Sequence, residues 1–158
     1  MKGLVLVLST FLFSACLKSN DSTACKDVTP ESEQSSLNSI SLANGMTPQI
    51  DSTGLYYQIL SPGILPKPDL NDSVAVIYEG RFPDGSIFSP AQSTPTPLTP
   101  LGLFIEGWGI GIEKIGKGGQ IKLVIPSSLA YGCTGYSSIP PNTILYFNIT
   151  LVDVKPAP

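Results

Sequence analysis

The sequence predicts an α+β fold in which several antiparallel strands pack with one short helix. Four segments are rich in β-favouring or alternating side chains and are bounded by turn residues: 55–60, 73–78, 120–125 and 144–154. The helix is predicted just after the glycine-dense turn that holds Trp108, the only tryptophan, because Ile112 and Ile115 follow at i,i+3 spacing. A tryptophan at the start of a helix packed on a sheet would form the floor of an apolar pocket.

Composition limits the chemistry that the chain can perform. The 158 residues suit one domain with short appendages, and 42% hydrophobic residues suffice for a packed core. A net charge of −3 without a basic cluster argues against nucleic-acid binding. The chain has no histidine, which excludes Ser-His-Asp and Cys-His catalysis and histidine-ligated metals. We therefore expect neither a metal nor another cofactor.

Residues 1–15 have the pattern of a secretory signal peptide. Lys2 precedes an apolar run over residues 4–8, and small residues stand just before Cys16. Ser14-Ala15-Cys16 also resembles the lipobox of bacterial lipoproteins, in which the cysteine is lipidated and becomes the mature N-terminus. This resemblance implies a membrane anchor on Cys16. The alternative is an ordinary signal peptide followed by an unrelated cysteine.

Residues 16–50 are predicted to form a lipid-anchored tether that includes a short helix over 30–44. Thr29 suits the N-cap, and Pro30 suits the first helical position. Asn44-Gly45 suits the end of the helix. Its narrow apolar stripe favours a spacer that packs on the domain over a dimerisation surface. The main domain is predicted over residues 51–158, with a proline-rich surface loop at 89–100 that lies over one side of the pocket.

Several motifs occur in the order found in one family. They are VIYEG at 76–80, PDGSIF at 83–88, FIEGWGIGIEKIGKGGQIKLVIPSSLAY at 104–131 and IPPNTILYFNITLVDV at 139–154. Together they resemble the FKBP-type peptidyl-prolyl cis-trans isomerases over roughly residues 53–155. The resemblance implies a twisted five-stranded antiparallel sheet wrapped around one short helix. The segment before residue 51 would then be an N-terminal helical extension.

The resemblance also implies five catalytic residues. Trp108 would be the floor on which a proline ring stacks, and Tyr78, Phe88 and Phe147 would be the walls. Tyr131 matches the tyrosine whose hydroxyl contacts the substrate carbonyl. Taken singly, each aromatic is more often a core residue, so the functional interpretation depends on the joint pattern.

Five further residues are implied to contact the substrate. Ile105 would offer its backbone N–H, and Phe104 would line the rim. Tyr136 and Ile139 fall in the loop that covers the site. Ser89 stands where active members commonly have aspartate, which predicts a reduced catalytic rate more than a loss of binding.

Two cysteines remain if Cys16 is lipidated. In an oxidising envelope, parity then suggests a disulfide between Cys25 and Cys133, which would join the N-terminal segment to the loop after Tyr131. The alternative is two free thiols.

The leading hypothesis is a peptidyl-prolyl cis-trans isomerase that assists the folding of exported proteins, anchored to a bacterial membrane and facing the periplasm. Its expected partners are proline-containing polypeptides, the membrane, and macrolide ligands of the kind the family binds. A second hypothesis is a proline-peptide-binding module or holdase with little turnover. A third is a structural envelope lipoprotein whose pocket is closed by side chains.

Overall fold

The computed structural model describes residues 25–158, so the predicted signal peptide and the predicted lipidation site at Cys16 lie outside the described part of the chain. Two α-helices and seven strands make up the regular structure of that part. In chain order they are α1 (Pro30–Ala43), β1 (Gln49–Ile50), β2 (Tyr56–Ser61), β3 (Ser73–Arg81), β4 (Ile87–Ser89), β5 (Thr99–Pro100), α2 (Glu106–Ile112), β6 (Gln120–Ile125) and β7 (Leu145–Lys155).

The strands form one antiparallel sheet in the order β1-β2-β6-β7-β3-β4, and β5 pairs with β3 on the edge that β4 also uses. The predicted α+β fold is confirmed. The strand number differs, because the sheet has seven strands where five were expected. The added pairing comes from β1 and β5, which have two residues each and extend the edges of the longer strands.

Alternation along the central strands separates two hydrophobic clusters. On β6, Ile121, Leu123 and Ile125 join the main core with α2, whereas Val124 joins a second cluster with Leu37 of α1. Successive side chains of a strand point to opposite faces, so the two helices cover opposite faces of the sheet.

Glycines bring α2 unusually close to β6. Gly107 and Gly111 are four residues apart and therefore lie on the same helix face. A Cβ at Gly107 would clash with the side chain of Ile125, and one at Gly111 would lie 2.7 Å from the Cδ atoms of Leu123. The sequence predicted a turn at this glycine-dense segment and a helix after it, but the segment itself is the helix. Three glycines in seven residues disfavour a helix in isolation, so packing on the sheet must stabilise α2.

Helix α1 forms as the sequence predicted, ending one residue earlier than expected. Thr29 occupies the N-cap position without a side-chain capping bond, and Pro30 is the first helical residue. Asn44 ends the helix, and Gly45 follows with a φ of 63°. Its one buried carboxylate, Glu33, accepts a hydrogen bond of 2.9 Å from the backbone N–H of Ser127.

A disulfide joins Cys25 to Cys133, with their Cα atoms 5.5 Å apart. Beside it, Asp27 accepts a 2.7 Å hydrogen bond from the backbone N–H of Cys133. With the Glu33–Ser127 bond, these contacts hold the segment from 127 to 133 at both ends. Tyr131 lies within that segment, so the N-terminal extension supports the predicted site.

Over residues 25–158, neither helix has the length and apolar character needed to cross a membrane.

Replacing Gly107 with alanine is expected to lower the free energy of unfolding by about 1–3 kcal/mol. The new Cβ would push against Ile125, which is fully buried and cannot move aside. Urea unfolding of the purified protein measures the change. Gly109→Ala is the matched control, because there the Cβ would meet the end of the Leu70 side chain, which is 50% exposed and can rotate. Equal losses in both variants would contradict the close-packing argument.

Replacing Glu33 with alanine is expected to destabilise the protein by about 1–3 kcal/mol, since the Ser127 N–H would lose its acceptor in a buried position. Glu33→Gln keeps an acceptor oxygen and should lower the free energy of unfolding clearly less. The readouts are urea unfolding and hydrogen exchange at the Ser127 amide. If alanine and glutamine behave alike, the hydrogen bond is not what the carboxyl group contributes.

Candidate active site

Trp108 is the centre of an aromatic cluster. The close approach of α2 to β6 buries the indole, which is only 4% exposed. Tyr78 and Phe147 meet it edge-on, with ring centroids 4.8 and 5.2 Å away, and Phe104 stacks on it at 5.0 Å. The indole N–H has no acceptor among residues 25–158, so packing alone fixes the ring. Such ring geometries are the favourable ones for aromatic pairs.

Phe88 completes one wall because Gly80 makes room for it. A Cβ at Gly80 would lie 2.5 Å from the Phe88 ring and 3.0 Å from the Phe147 ring. Gly80 is on β3, Phe88 on the short edge strand β4 and Phe147 on β7. The two phenylalanine rings meet edge-on at 5.7 Å. The glycine of the VIYEG motif is thus needed for the wall of the cavity.

Tyr131 and Tyr136 stack with ring centroids 5.1 Å apart. Their loop is closed by two backbone hydrogen bonds between Tyr136 and Ile139, and by Gly135, where a Cβ would lie 2.5 Å from the Ile139 carbonyl oxygen. Burial, and then the neighbouring hydroxyls of Tyr78 and Tyr136, raise the pKa of Tyr131 above its usual value. Tyr131 therefore keeps its proton at neutral pH and can donate it in a hydrogen bond.

The backbone at the start of α2 offers a second donor. Ile105 occupies the N-cap position, and its carbonyl accepts hydrogen bonds from Trp108 and Gly109. Its own N–H has no backbone acceptor among the described residues. A ligand in the cavity could use this N–H, because Ile105 lines the cavity wall.

These side chains enclose a cavity of about 400 Å³, a size typical of small-ligand sites. Ten residues line it: Tyr78, Phe88, Thr96, Leu103, Phe104, Ile105, Trp108, Tyr131, Tyr136 and Phe147. None of these side chains carries a charge at neutral pH. Leu103 and Tyr136 are 76% and 64% exposed and form the rim. An open cavity disfavours the hypothesis of a structural protein whose pocket is closed by side chains.

The structure brings together the five predicted catalytic residues and three of the five predicted substrate-contacting residues, namely Phe104, Ile105 and Tyr136. Ser89 and Ile139 are not in the lining. Ser89 pairs with Gly80 at the sheet edge, and the side chain of Ile139 is buried in the main core.

Sequence reasoning missed Thr96 and Leu103. Thr96 lies in the proline-rich loop, where it is fixed by two hydrogen bonds: its N–H donates to the Val76 carbonyl, and the Val76 N–H donates to its Oγ1. This places the loop beside the cavity, as expected for 89–100. Leu103 ends a 3-10 turn, Leu101–Leu103, whose orientation has no signal in a single sequence.

The described residues contain no group of three side chains arranged to hold a metal ion. The cavity lining also contains no acidic or basic side chain. The arrangement suits stabilisation of a neutral, apolar transition state by packing and two hydrogen-bond donors.

Comparison with known proteins agrees with this geometry. Residues 66–152 match the family model described as FKBP-type peptidyl-prolyl cis-trans isomerase. The chain is 47% identical over 108 residues to the isomerase FkpA of Escherichia coli K12, covering 68% of this chain and 40% of that protein. It is 37% identical over 106 residues to the isomerase Mip of Coxiella burnetii, covering 66% of this chain and 46% of that protein.

Two solved structures are also similar. The crystal structure of Escherichia coli FkpA superposes with a TM-score of 0.71 at 39% identity, covering 81% of this chain and 61% of that one. A peptidyl-prolyl isomerase from Pseudomonas syringae pv. tomato gives a TM-score of 0.67 at 33% identity, covering 83% of this chain and 99% of that one.

The chain spans about two fifths of the length of the curated FkpA relative. The family match covers more than half of the chain, and it includes the strands and helix that carry the aromatic cavity. The chain therefore belongs to the FKBP-type peptidyl-prolyl cis-trans isomerase family.

Proposed function

We propose that this protein catalyses cis-trans isomerisation of Xaa-Pro bonds in exported polypeptides and so assists their folding in the cell envelope. The proposal rests on one observation, the uncharged aromatic cavity. Trp108 is the floor of this cavity, and the Tyr131 hydroxyl and the Ile105 N–H lie in its walls. A proline ring and the amide before it suit such a cavity in shape and polarity.

The mechanism needs no nucleophile and no acid or base. Rotation of a peptide bond has a barrier of about 18–20 kcal/mol, because the planar amide is stabilised by resonance. The twisted amide has lost that resonance and is less polar, so an apolar cavity stabilises it relative to the planar form. Donors that hold its carbonyl in the twisted geometry add to this difference.

The described side chains divide these tasks. Trp108 supports the proline ring from below, while Phe88 and Phe147 exclude water from the sides. Tyr131 donates to the substrate carbonyl next to the rotating bond, and the Ile105 N–H holds the neighbouring backbone. Only interactions stronger in the twisted state than in the planar state raise the rate.

The proposed location is a bacterial membrane, facing the periplasm. It is supported by the signal-like residues 1–15, the lipobox at Cys16 and the tether that follows, all as sequence patterns. The Cys25–Cys133 disulfide suits an oxidising compartment. Proposed partners are unfolded proline-containing clients, and macrolides of the type that the family binds.

A proline-peptide-binding module with little turnover is the second candidate. It is favoured by Ser89, which replaces the acid common in active members of the family. Ser89 lies next to Phe88 but outside the cavity lining. Slow turnover would therefore result from less precise orientation of the side chains in the site, and not from the loss of a group that contacts the substrate.

The purified protein is expected to accelerate isomerisation of an Xaa-Pro peptide, measured by NMR exchange without a coupled protease. Trp108→Leu should lower kcat/KM more than about tenfold, since leucine offers no flat platform. Tyr131→Phe should lower it about three- to tenfold, the effect of one hydrogen bond.

Tyr57→Phe is the matched control, because it removes the same hydroxyl from a tyrosine outside the cavity lining. It should leave the rate unchanged. Acceleration that persists in both cavity variants would rule out this cavity as the active site. Binding of the peptide without acceleration would favour the binding module.

A further inference from the structure

A second cavity of about 290 Å³ adjoins the aromatic one. Phe104 and Ile105 belong to the walls of both. A polypeptide whose proline occupies the first cavity and whose chain continues over Phe104 and Ile105 would bring a neighbouring residue to the second.

One wall of the second cavity is formed by α2 together with Leu70, which packs on the helix at Gly109. Gly109 and Ile110 of α2 line this cavity, and a Cβ at Gly109 would lie 2.9 Å from Cδ2 of Leu70. Leu70 is 50% exposed, so its apolar surface is available to a ligand. The walls formed by Leu70, Phe104 and Ile110 are suited to an aliphatic chain.

Carboxylates stand at both ends of this face. Glu106 begins α2 and Glu113 follows its last residue, and a spacing of seven residues puts them on one side about 10 Å apart. Both line the cavity. Neither forms an ion pair with any residue from 25 to 158, where the three ion pairs are Arg81–Glu79, Lys114–Asp51 and Lys117–Asp153.

We propose that this second cavity is a specificity subsite for a lysine or arginine of the client that lies within two residues of the isomerised proline. The inference rests on the proposed isomerase function. It adds a substrate preference to that function: basic side chains flanking the proline.

Lysine and arginine fit both features of the site. Their aliphatic stems bury well along apolar walls while the charged head stays near water, and here the head would lie between two carboxylates. The charged head could also contact the face of the Phe104 ring. A glutamate in the client would meet like charge, and an aliphatic side chain would leave both carboxylates without a partner.

The test uses the purified full chain and proline peptides that carry lysine, norleucine or glutamate at each of the two positions before and after the proline. The readout is the ratio of kcat/KM between lysine and norleucine peptides. At one position at least, the ratio should be on the order of threefold, with glutamate below norleucine. Raising the salt concentration should lower the ratio, because the cation and carboxylates are partly exposed.

Glu113→Gln should bring the ratio towards one. Glu31→Gln is the matched control, since it removes one charge from an exposed position on helix α1, and it should leave the ratio as it is. A ratio of one at all four positions, with normal turnover of the peptides, would overturn the subsite and leave the isomerase function intact. An equal decrease of the ratio in both variants would also overturn the subsite, because the net charge of the protein would then explain the preference for lysine. Absence of both turnover and binding for every peptide would instead refute the proposed function, and this inference with it.

Discussion

The close packing of α2 against β6 is the constraint on which the rest of the site depends. Gly107 and Gly111 present bare backbone to Ile125 and Leu123, so the helix lies nearer to the sheet than any larger side chain would allow. Because the helix lies so close to the sheet, Trp108 is buried between Tyr78 and Phe147 and not exposed on the surface. The helix is intrinsically weak, so the same contacts that position Trp108 also hold α2 in place.

The side chains that line the cavity determine which reaction the site can support. The lining is aromatic and aliphatic, and its polar groups include side-chain hydroxyls and the backbone N–H of Ile105. Such a site can stabilise a twisted amide, which needs shape and a few donors but no proton transfer. The N-terminal extension contributes at a distance, because the Glu33 hydrogen bond and the Cys25–Cys133 disulfide flank the segment that carries Tyr131.

The long strands and α1 could be predicted from sequence, because each has a strong local signal such as alternation on β6 or the cap residues of α1. A short helix near Trp108 was expected, but its position was not, because the glycine-dense segment predicted as a turn forms α2 only through its packing on β6. The aromatic residues of the cavity could be identified only through the spaced motifs, since each alone resembles a core residue. Strands β1 and β5 could not be foreseen, because two-residue pairings depend on the tertiary neighbourhood. Thr96 and Leu103 were missed for the same reason. Ser89 follows Phe88 on β4, and Ile139 belongs to the loop of Tyr136, yet neither residue lines the cavity.

If α2 holds Trp108 as the floor of a proline-binding cavity, the fluorescence of this residue should respond to a bound proline. Trp108 is the only tryptophan of the chain, so its emission reports on the cavity alone. The protein would be titrated with an Xaa-Pro peptide and with the same peptide carrying alanine in place of proline. We expect a saturable change in emission with the proline peptide and none with the alanine peptide. Equal responses to both peptides, or no response to either, would contradict it.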